Sequence, residues 1–242
     1  MIITSRVNPL IKTVASLSDK KFRRQLNLYI VEGVKSVREC ISSGAEIDKI
    51  ICTPENESLF EGTTVVSESV FKSISDEKTP QGVLAVVKIP KTRIKPPDGN
   101  SLLLDCLQDP GNLGTVIRCA NAAGYTDIYL INCTDPYSPK AVRASMSGIF
   151  FVNLYIGSRE EIFEALKASP LICADMDGEN IFKFRPPEKF CLCIGNEGGG
   201  ISSEVMAKAA YTVKIPMRET CESLNAAVSA GIAMYALKNQ LN

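Results

Sequence analysis

The sequence predicts an α/β protein in which a small α/β module precedes a larger domain built on a parallel sheet. From about residue 100 onward, apolar runs of strand length alternate with helical stretches. These runs are almost unbroken, which is typical of parallel strands covered on both faces. The proline-rich and charged segment KIPKTRIKPPDGN, residues 88–100, separates this part from shorter, mixed elements. We therefore expect two domains, residues 1–95 and residues 96–242.

The first part begins with a basic helical stretch, predicted over residues 8–26. A strand is expected at LYIV, a helix at VKSVRECISSG, and further strands at DKIIC and GVLAVVK. The whole chain is neutral, with 27 basic and 27 acidic residues. Up to Arg38, however, eight basic residues face only Asp19 and Glu32, which leaves an excess of positive charge in this part. This asymmetry indicates an anionic partner, although a solvated helix face explains it equally well.

The second part alternates regularly. Strands are predicted at SLLLDCL, DIYLIN, FFVNLYI, LICAD, FCLCIG and YTVKIP. Helices are predicted at NLGTVIRCANAAG, KAVRASMSG, ISSEVMAKAA and SLNAAVSAGIAMYALKNQ. Ligands of such sheets bind beyond the carboxyl ends of the strands. Three loops at predicted strand ends are therefore the candidate site.

The first loop is DPGNLGTVIR, residues 109–118. Pro110 and Gly111 favour a turn, and we expect Asn112 to cap the following helix. Arg118 follows one turn after two small residues, which leave room beside it. Read alone, the asparagine is only a cap and the arginine only a surface charge.

The second and third loops are GNEGGG, residues 195–200, and IPMRETCESLN, residues 215–225. The glycines around Glu197 let the backbone approach a ligand closely. In the third loop Ser223 or a neighbour is expected to cap the last helix, with Asn225 in its first turn. Each loop alone indicates little, but all three are predicted to lie at the same edge of one sheet.

Composition excludes several classes of site. The chain has no histidine, so histidine zinc sites, Ser-His-Asp triads and Cys-His dyads are excluded, and we expect no metal site. Its nine cysteines include no CxxC pair. Neither a signal peptide nor an apolar run of roughly 20 residues is found. These observations predict a cytosolic, reduced and soluble protein with no membrane partner.

The segments DPGNLGTVIRCANAAG, IGNEGGGIS and IPMRETCESLNAAVSAGIAMY resemble the three motifs of the SpoU (TrmH-type) RNA ribose 2′-O-methyltransferases, of the SPOUT superfamily. Their order and spacing match over residues 100–240. The N-terminal stretch, from SRVNPLIK through FRRQLNLYIVEG to TPQGVLAVVK, is similar to the substrate-binding domain with an L30e-like fold that often accompanies this family.

The resemblance implies a catalytic domain with a deep trefoil knot, S-adenosylmethionine as cofactor, and RNA as substrate, with ribosomal RNA favoured over transfer RNA. It also implies a homodimer. The cofactor-binding backbone groups of the family fall on Gly195, Ile215 and Leu224. The polar active-site set falls on Asn112, Arg118, Glu197, Ser223 and Asn225.

The family model gives Arg118 the role of proton acceptor, but guanidinium groups rarely lose a proton in proteins. Clamping the target phosphate bidentately is the alternative, and the sequence leaves this open. Two other functions are considered. A non-catalytic RNA-binding protein in ribosome assembly is disfavoured because all five polar positions are present. A nucleotide-dependent dehydrogenase is disfavoured because the GxGxxG fingerprint is absent.

Overall fold

The computed structural model describes residues 2–240. The first elements in chain order are α1 (Pro9–Ser16), α2 (Lys20–Leu26), β1 (Leu28–Glu32), α3 (Val34–Ser42), β2 (Ile47–Cys52), β3 (Thr64–Val65), α4 (Glu68–Ile74) and β4 (Val83–Lys88). They are followed by β5 (Ser101–Asp105), α5 (Pro110–Ala123), β6 (Asp127–Ile131), α6 (Pro139–Ala144), β7 (Asn153–Ile156), α7 (Arg159–Leu166), β8 (Leu171–Asn180), β9 (Cys191–Ile194), α8 (Ser203–Met206), β10 (Ala209–Lys214) and α9 (Ala226–Asn239).

The chain forms two compact units. The first ends at Lys91 and also contains Asp135–Phe150, which includes α6. The second contains Thr92–Thr134 and the chain from Phe151 onward. The sequence did not predict that a segment from the later part packs with the first unit. The domain limits 1–95 and 96–242 stay a prediction about the chain's organisation.

The first unit is built on a four-stranded sheet in the order β1-β4-β2-β3. The β1–β4 and β4–β2 pairs are antiparallel, and the short β3 runs parallel to β2. Its core packs α1 and α4 against the sheet through Ile11, Val14, Val70, Phe71 and Leu84. The predicted basic helix over residues 8–26 is wrong as a single element: the chain turns at Leu17–Asp19, and Asp19 caps α2 by accepting from the backbone N–H of Lys21.

The second unit is built on a six-stranded sheet in the order β10-β8-β9-β5-β6-β7. Every strand pair in it is parallel, which confirms the predicted parallel-sheet α/β fold. Its central strands are wholly buried, as their unbroken apolar runs predicted. Helix α5 ends at Gly124, whose φ of +84° is a left-handed conformation that favours glycine. The trefoil knot implied by the resemblance stays a prediction.

Several predicted bounds are corrected. The strand predicted at FFVNLYI begins only at Asn153, because Gly148–Phe150 forms a short 3-10 turn. The helix predicted at ISSEVMAKAA stops at Met206, and Ala209 already begins β10. Helix α7, which starts with a capping box between Ser158 and Glu161, was not predicted. Within residues 2–240 no helix is both long and apolar enough to cross a membrane.

Candidate active site

A cleft of about 240 Å³ lies in the second unit, where β9 and β10 end. All three residues predicted to bind the cofactor line it, namely Gly195, Ile215 and Leu224. Glu197 and Ser223 of the predicted polar set also line it. The position follows from the parallel sheet, because the carboxyl ends of its strands lie at one edge and their loops converge there.

Three residues of the predicted polar set form one hydrogen-bonded chain. Asn225 donates from Nδ2 to Asn112 Oδ1 at 3.0 Å, and Asn112 donates from Nδ2 to Glu197 Oε1 at 2.5 Å. Each residue comes from a different one of the three loops. The structure thus connects the three sequence motifs through side chains that the sequence could place only at the same sheet edge.

Both asparagines have helix-end positions that differ from those predicted. Asn112 was expected to cap α5, but Asp109 is the cap and accepts from the backbone N–H of Asn112 at 2.8 Å. Asn112 therefore lies inside the first turn, with its side chain free to reach across to the other loops. Ser223 or a neighbour was expected to cap α9, and the structure identifies Asn225 as that cap. Its Oδ1 accepts from the N–H groups of Ala227 and Val228.

The glycine-rich loop is tightly closed. Asn196 and Gly200 exchange two backbone hydrogen bonds of 2.9 and 3.0 Å, and Asn196 also donates from its side chain to the carbonyl of Cys106 at 2.7 Å. A Cβ on Gly195 would lie 2.2 Å from the carbonyl carbon of Gly200. Gly195 is therefore required by the loop's own backbone, and not, as its predicted role assumed, only by space for a ligand.

Asp105 supports the glycine-rich loop from below the cleft lining and was missed by sequence reasoning. It ends β5, its side chain is wholly buried, and its Oδ2 accepts from the backbone N–H of Ser202 at 2.7 Å. Arg159 lies 3.7 Å from its other oxygen and pairs with Glu204 at 2.9 Å. The signal was present in SLLLD, where a carboxylate follows three buried leucines at the carboxyl end of the strand. Asp105 fixes the far end of the glycine-rich loop.

The structure does not bring Arg118 into the hydrogen-bonded chain. It lies exposed on α5, four residues beyond the buried Gly114. Among residues 2–240 no hydrogen bond or ion pair of its guanidinium is found. A free guanidinium on the helix that carries Asn112 can bind an anion from outside the protein. No group of three or more acidic or cysteine side chains that could hold a metal ion occurs in the described part of the chain.

The second unit is thus an α/β domain with a cleft and a hydrogen-bonded polar set at the carboxyl ends of its parallel strands. A family model for the SpoU rRNA Methylase family matches residues 99–235, and one for the MRM3-like substrate binding domain matches residues 8–85. The chain belongs to the SpoU rRNA Methylase family. The predicted class of enzyme, an RNA ribose 2′-O-methyltransferase, is confirmed.

Similar proteins span nearly the whole chain. The 23S rRNA (guanosine(2553)-2′-O)-methyltransferase RlmP of Bacillus subtilis (strain 168) is 30% identical over 98% of this chain and 98% of its own length. The 23S rRNA (uridine(2479)-2′-O)-methyltransferase of Streptomyces viridochromogenes is 26% identical, with 98% and 92% covered. A crystal structure of an AdoMet-bound rRNA methyltransferase from Sinorhizobium meliloti has a TM-score of 0.90 and 28% identity, with 100% and 98% covered.

Proposed function

We propose that this chain transfers a methyl group from S-adenosylmethionine to a ribose 2′-hydroxyl of ribosomal RNA. The observation that carries the proposal is the chain of hydrogen bonds from Asn225 through Asn112 to Glu197 beside the cleft. Similarity supports the substrate, since relatives that match this chain over nearly its full length are named as 23S rRNA methyltransferases. Similarity to a bacterial rRNA methyltransferase also supports a cytoplasmic location.

The cleft suits S-adenosylmethionine. Its walls combine apolar side chains with exposed backbone, and among the lining residues are Ile194, Gly195, Ile215, Leu224 and Ala226. An adenine ring packs well against such aliphatic walls, and backbone N–H and C=O groups can read its polar edge. When bound, the cofactor supplies an electrophilic methyl group on a sulfonium. We assign Gly195, Ile215 and Leu224 to holding it.

The polar chain beside the cleft has a fixed direction. Asn225 Oδ1 is occupied as an acceptor by the N-terminus of α9, so its Nδ2 must donate outward. Asn112 receives that bond on its oxygen and so presents its own Nδ2 to Glu197. The relay holds Glu197 in one orientation at the cleft. We propose that Glu197 and Ser223 orient the ribose, because both line the cleft and both can accept a hydrogen bond from a hydroxyl.

Arg118 is proposed to clamp a phosphate of the RNA. A guanidinium stays charged in proteins and presents paired N–H donors that match phosphate oxygens. Positioning the nucleotide in this way aligns the hydroxyl oxygen for in-line attack on the methyl carbon. The ribose hydroxyl must also lose its proton, and a guanidinium is a poor acceptor for it. In this proposal Arg118 therefore aligns the nucleotide, and a different group accepts the proton.

We further propose a homodimer. Helix α9 buries one face and exposes Val228 and Tyr235, which are 50% and 46% exposed. Spacings of four and then three residues place Val228, the half-buried Ile232 and Tyr235 along one outward stripe. An apolar stripe on a helix favours association with another surface. A second copy of the chain is the partner that the family resemblance implies.

Mapping ribose 2′-O-methylation in ribosomal and transfer RNA from a strain lacking the protein tests the proposed function. We expect one position to lose its methyl group and to regain it when the purified protein and S-adenosylmethionine are added to that RNA. Unchanged methylation everywhere, together with RNA binding by the purified protein, would instead favour the non-catalytic RNA-binding alternative. Loss of a methyl group from transfer RNA alone would show that transfer RNA, and not ribosomal RNA, is the substrate.

A further inference from the structure

A second cavity, of about 130 Å³, lies wholly within the first unit and shares no lining residue with the cofactor cleft. We name it the serine-lined cavity, because five serines contribute to its lining: Ser18, Ser36, Ser73, Ser75 and Ser147. Ile30, Val31, Ile74, Val142 and Phe150 provide its apolar walls. Its size admits one ring system but not a run of nucleotides.

One buried hydroxyl of the serine-lined cavity forms no hydrogen bond within the described part of the chain. Ser147 is only 5% exposed, and among the described residues its Oγ forms no hydrogen bond. Buried polar groups in proteins are nearly always paired, so an orphaned one beside a cavity points to a missing ligand. The backbone supports this, since Met146 and Ser147 have φ angles of +45° and +65°. Two consecutive left-handed residues that are not glycine are strained, and such strain concentrates at binding sites.

The serine-lined cavity is lined by charged groups of both signs. Glu32 accepts from the Ser75 hydroxyl and from the backbone N–H of Asp76. Arg143 bridges the carboxylates of Asp76 and Glu77 at 2.9 and 3.1 Å. Three carboxylates and one guanidinium therefore surround the cavity. Burial raises the pKa of Glu32, which means that this carboxylate has lost part of its water and gains from a ligand N–H donor.

This set of groups selects among ligands. A phosphate would meet two net negative charges, and a bare cation would use the carboxylates but leave Arg143 and the hydroxyls without a role. A neutral planar ligand that carries donors and acceptors on one edge fits all of them. Guanine has two neighbouring N–H donors, which match one carboxylate, beside a carbonyl oxygen that a guanidinium or a hydroxyl can bind.

We propose that the serine-lined cavity binds one unstacked guanine base of the RNA substrate. The base edge would face Glu32, Arg143 and Ser147, and the ring would pack between the aliphatic walls. Unpaired bases in RNA are recognised in this way, by their edges and by packing of their faces. The inference rests on the proposed function, since it assumes an RNA substrate, but it adds a second contact point that lies outside the cofactor cleft.

Binding of two labelled hexanucleotides, UUUGUU and UUUAUU, to the full-length protein tests the proposal. We expect the guanine-containing strand to bind at least about five-fold more tightly. Ser36→Phe, on α3, should fill the cavity and remove this preference. Ser42→Phe, on the exposed part of the same helix, is the matched control and should retain it. Glu32→Gln keeps the shape but removes one carboxylate, so it should reduce the preference even if the Ser36 variant does not fold.

Equal binding of both strands by the wild-type protein would overturn the proposal, as would a preference that survives both Ser36→Phe and Glu32→Gln. Competition of the guanine strand by arginine amide but not by guanosine would also overturn it, and would identify a pocket for basic side chains. Methyl transfer is measured separately on the natural RNA. Methyl transfer without a guanine preference would refute guanine binding in this cavity and leave the proposed function intact. A guanine preference without methyl transfer would refute the proposed function and leave guanine binding intact.

Discussion

Asn225 and Asn112 are hydrogen-bonded through their side chains at 3.0 Å, although 113 positions separate them in the chain. Asn225 is also the N-terminal cap of α9, so one side chain both caps the start of a helix and orients the neighbouring loop. Asn112 continues the connection to Glu197. Replacement of any of the three side chains is therefore expected to disturb the other two, because the donor and acceptor positions are fixed from the helix end outward.

Asn112→Asp tests this relay. The change removes the donor to Glu197 and places a second carboxylate beside it, so we expect turnover to fall about 10- to 100-fold from the loss of a hydrogen bond to a charged group. Affinity for S-adenosylmethionine should change little, because Asn112 does not line the cleft. Single-turnover kinetics and calorimetry measure the two effects. Asn121→Asp, on the exposed part of the same helix, is the control and should behave as wild type.

Arg118→Ala is expected to abolish methyl transfer while S-adenosylmethionine affinity stays within a few-fold. The reason is that the exposed guanidinium contacts RNA in our proposal. Arg118→Lys should recover only part of the activity, since an ammonium lacks the paired donors of a guanidinium. Arg185→Ala removes the same charge from another exposed position of the second unit and should leave turnover unchanged. Near wild-type turnover of the Arg118→Ala variant would refute the assignment.

Gly195→Ala should weaken S-adenosylmethionine binding at least about ten-fold. The added methyl would lie 2.2 Å from the backbone of Gly200, so the glycine-rich loop must open. Gly199→Ala is the control within the same loop, because a Cβ there meets nothing within 4 Å. Calorimetric titration compares them. Equal affinity of the two variants, both folded, would show that the cofactor does not depend on this loop.

The sequence predicted the sheet and the three loops because both depend on local patterns. Buried parallel strands are nearly all apolar, and the loops carry turn residues at fixed positions. It could not predict that Asp109 rather than Asn112 caps α5, because both residues are good caps and only the register of the helix decides between them. Asp105 was missed because its role depends on a distant contact. Its carboxylate accepts from the backbone N–H of Ser202, 97 positions away in the chain.

The proposed dimer gives a further test. Val228→Glu with Tyr235→Glu places two charges on the outward stripe of α9 and should convert a dimer to a monomer at micromolar concentration. Light scattering measures the mass. Replacing the exposed Lys208 by Glu changes charge elsewhere on the second unit and should leave the dimer intact. A monomeric wild-type protein would contradict the proposal directly.

The basic residues of α2 lie in different surroundings. Lys21, Arg23 and Arg24 all belong to the excess of positive charge that indicates an anionic partner in the sequence. In the structure the Arg23 side chain is 4% exposed and pairs with Asp135 at 2.7 Å. It also donates to the carbonyls of Leu17 and Ser18 at 2.7 and 2.8 Å. Arg23 therefore ties α2 and the turn before it to the segment that carries α6, and it is not available to RNA.

Arg23→Ala should consequently affect stability, whereas the double variant Lys21→Ala, Arg24→Ala should affect RNA binding. Loss of Arg23 removes the ion-pair partner of the largely buried Asp135, which keeps a hydrogen bond from the backbone N–H of Tyr137. It should lower the free energy of unfolding by about 3–5 kcal/mol. The double variant changes two exposed side chains, so its stability should stay near wild type.

If Lys21 and Arg24 both contact phosphates, the double variant should also bind RNA with a weaker dependence on salt. The slope of log affinity against log salt should flatten by roughly 0.7 to 0.9 for each of the two residues. Chemical denaturation and RNA binding at several salt concentrations separate the two effects. An unchanged slope would assign Lys21 and Arg24 to a solvated helix face.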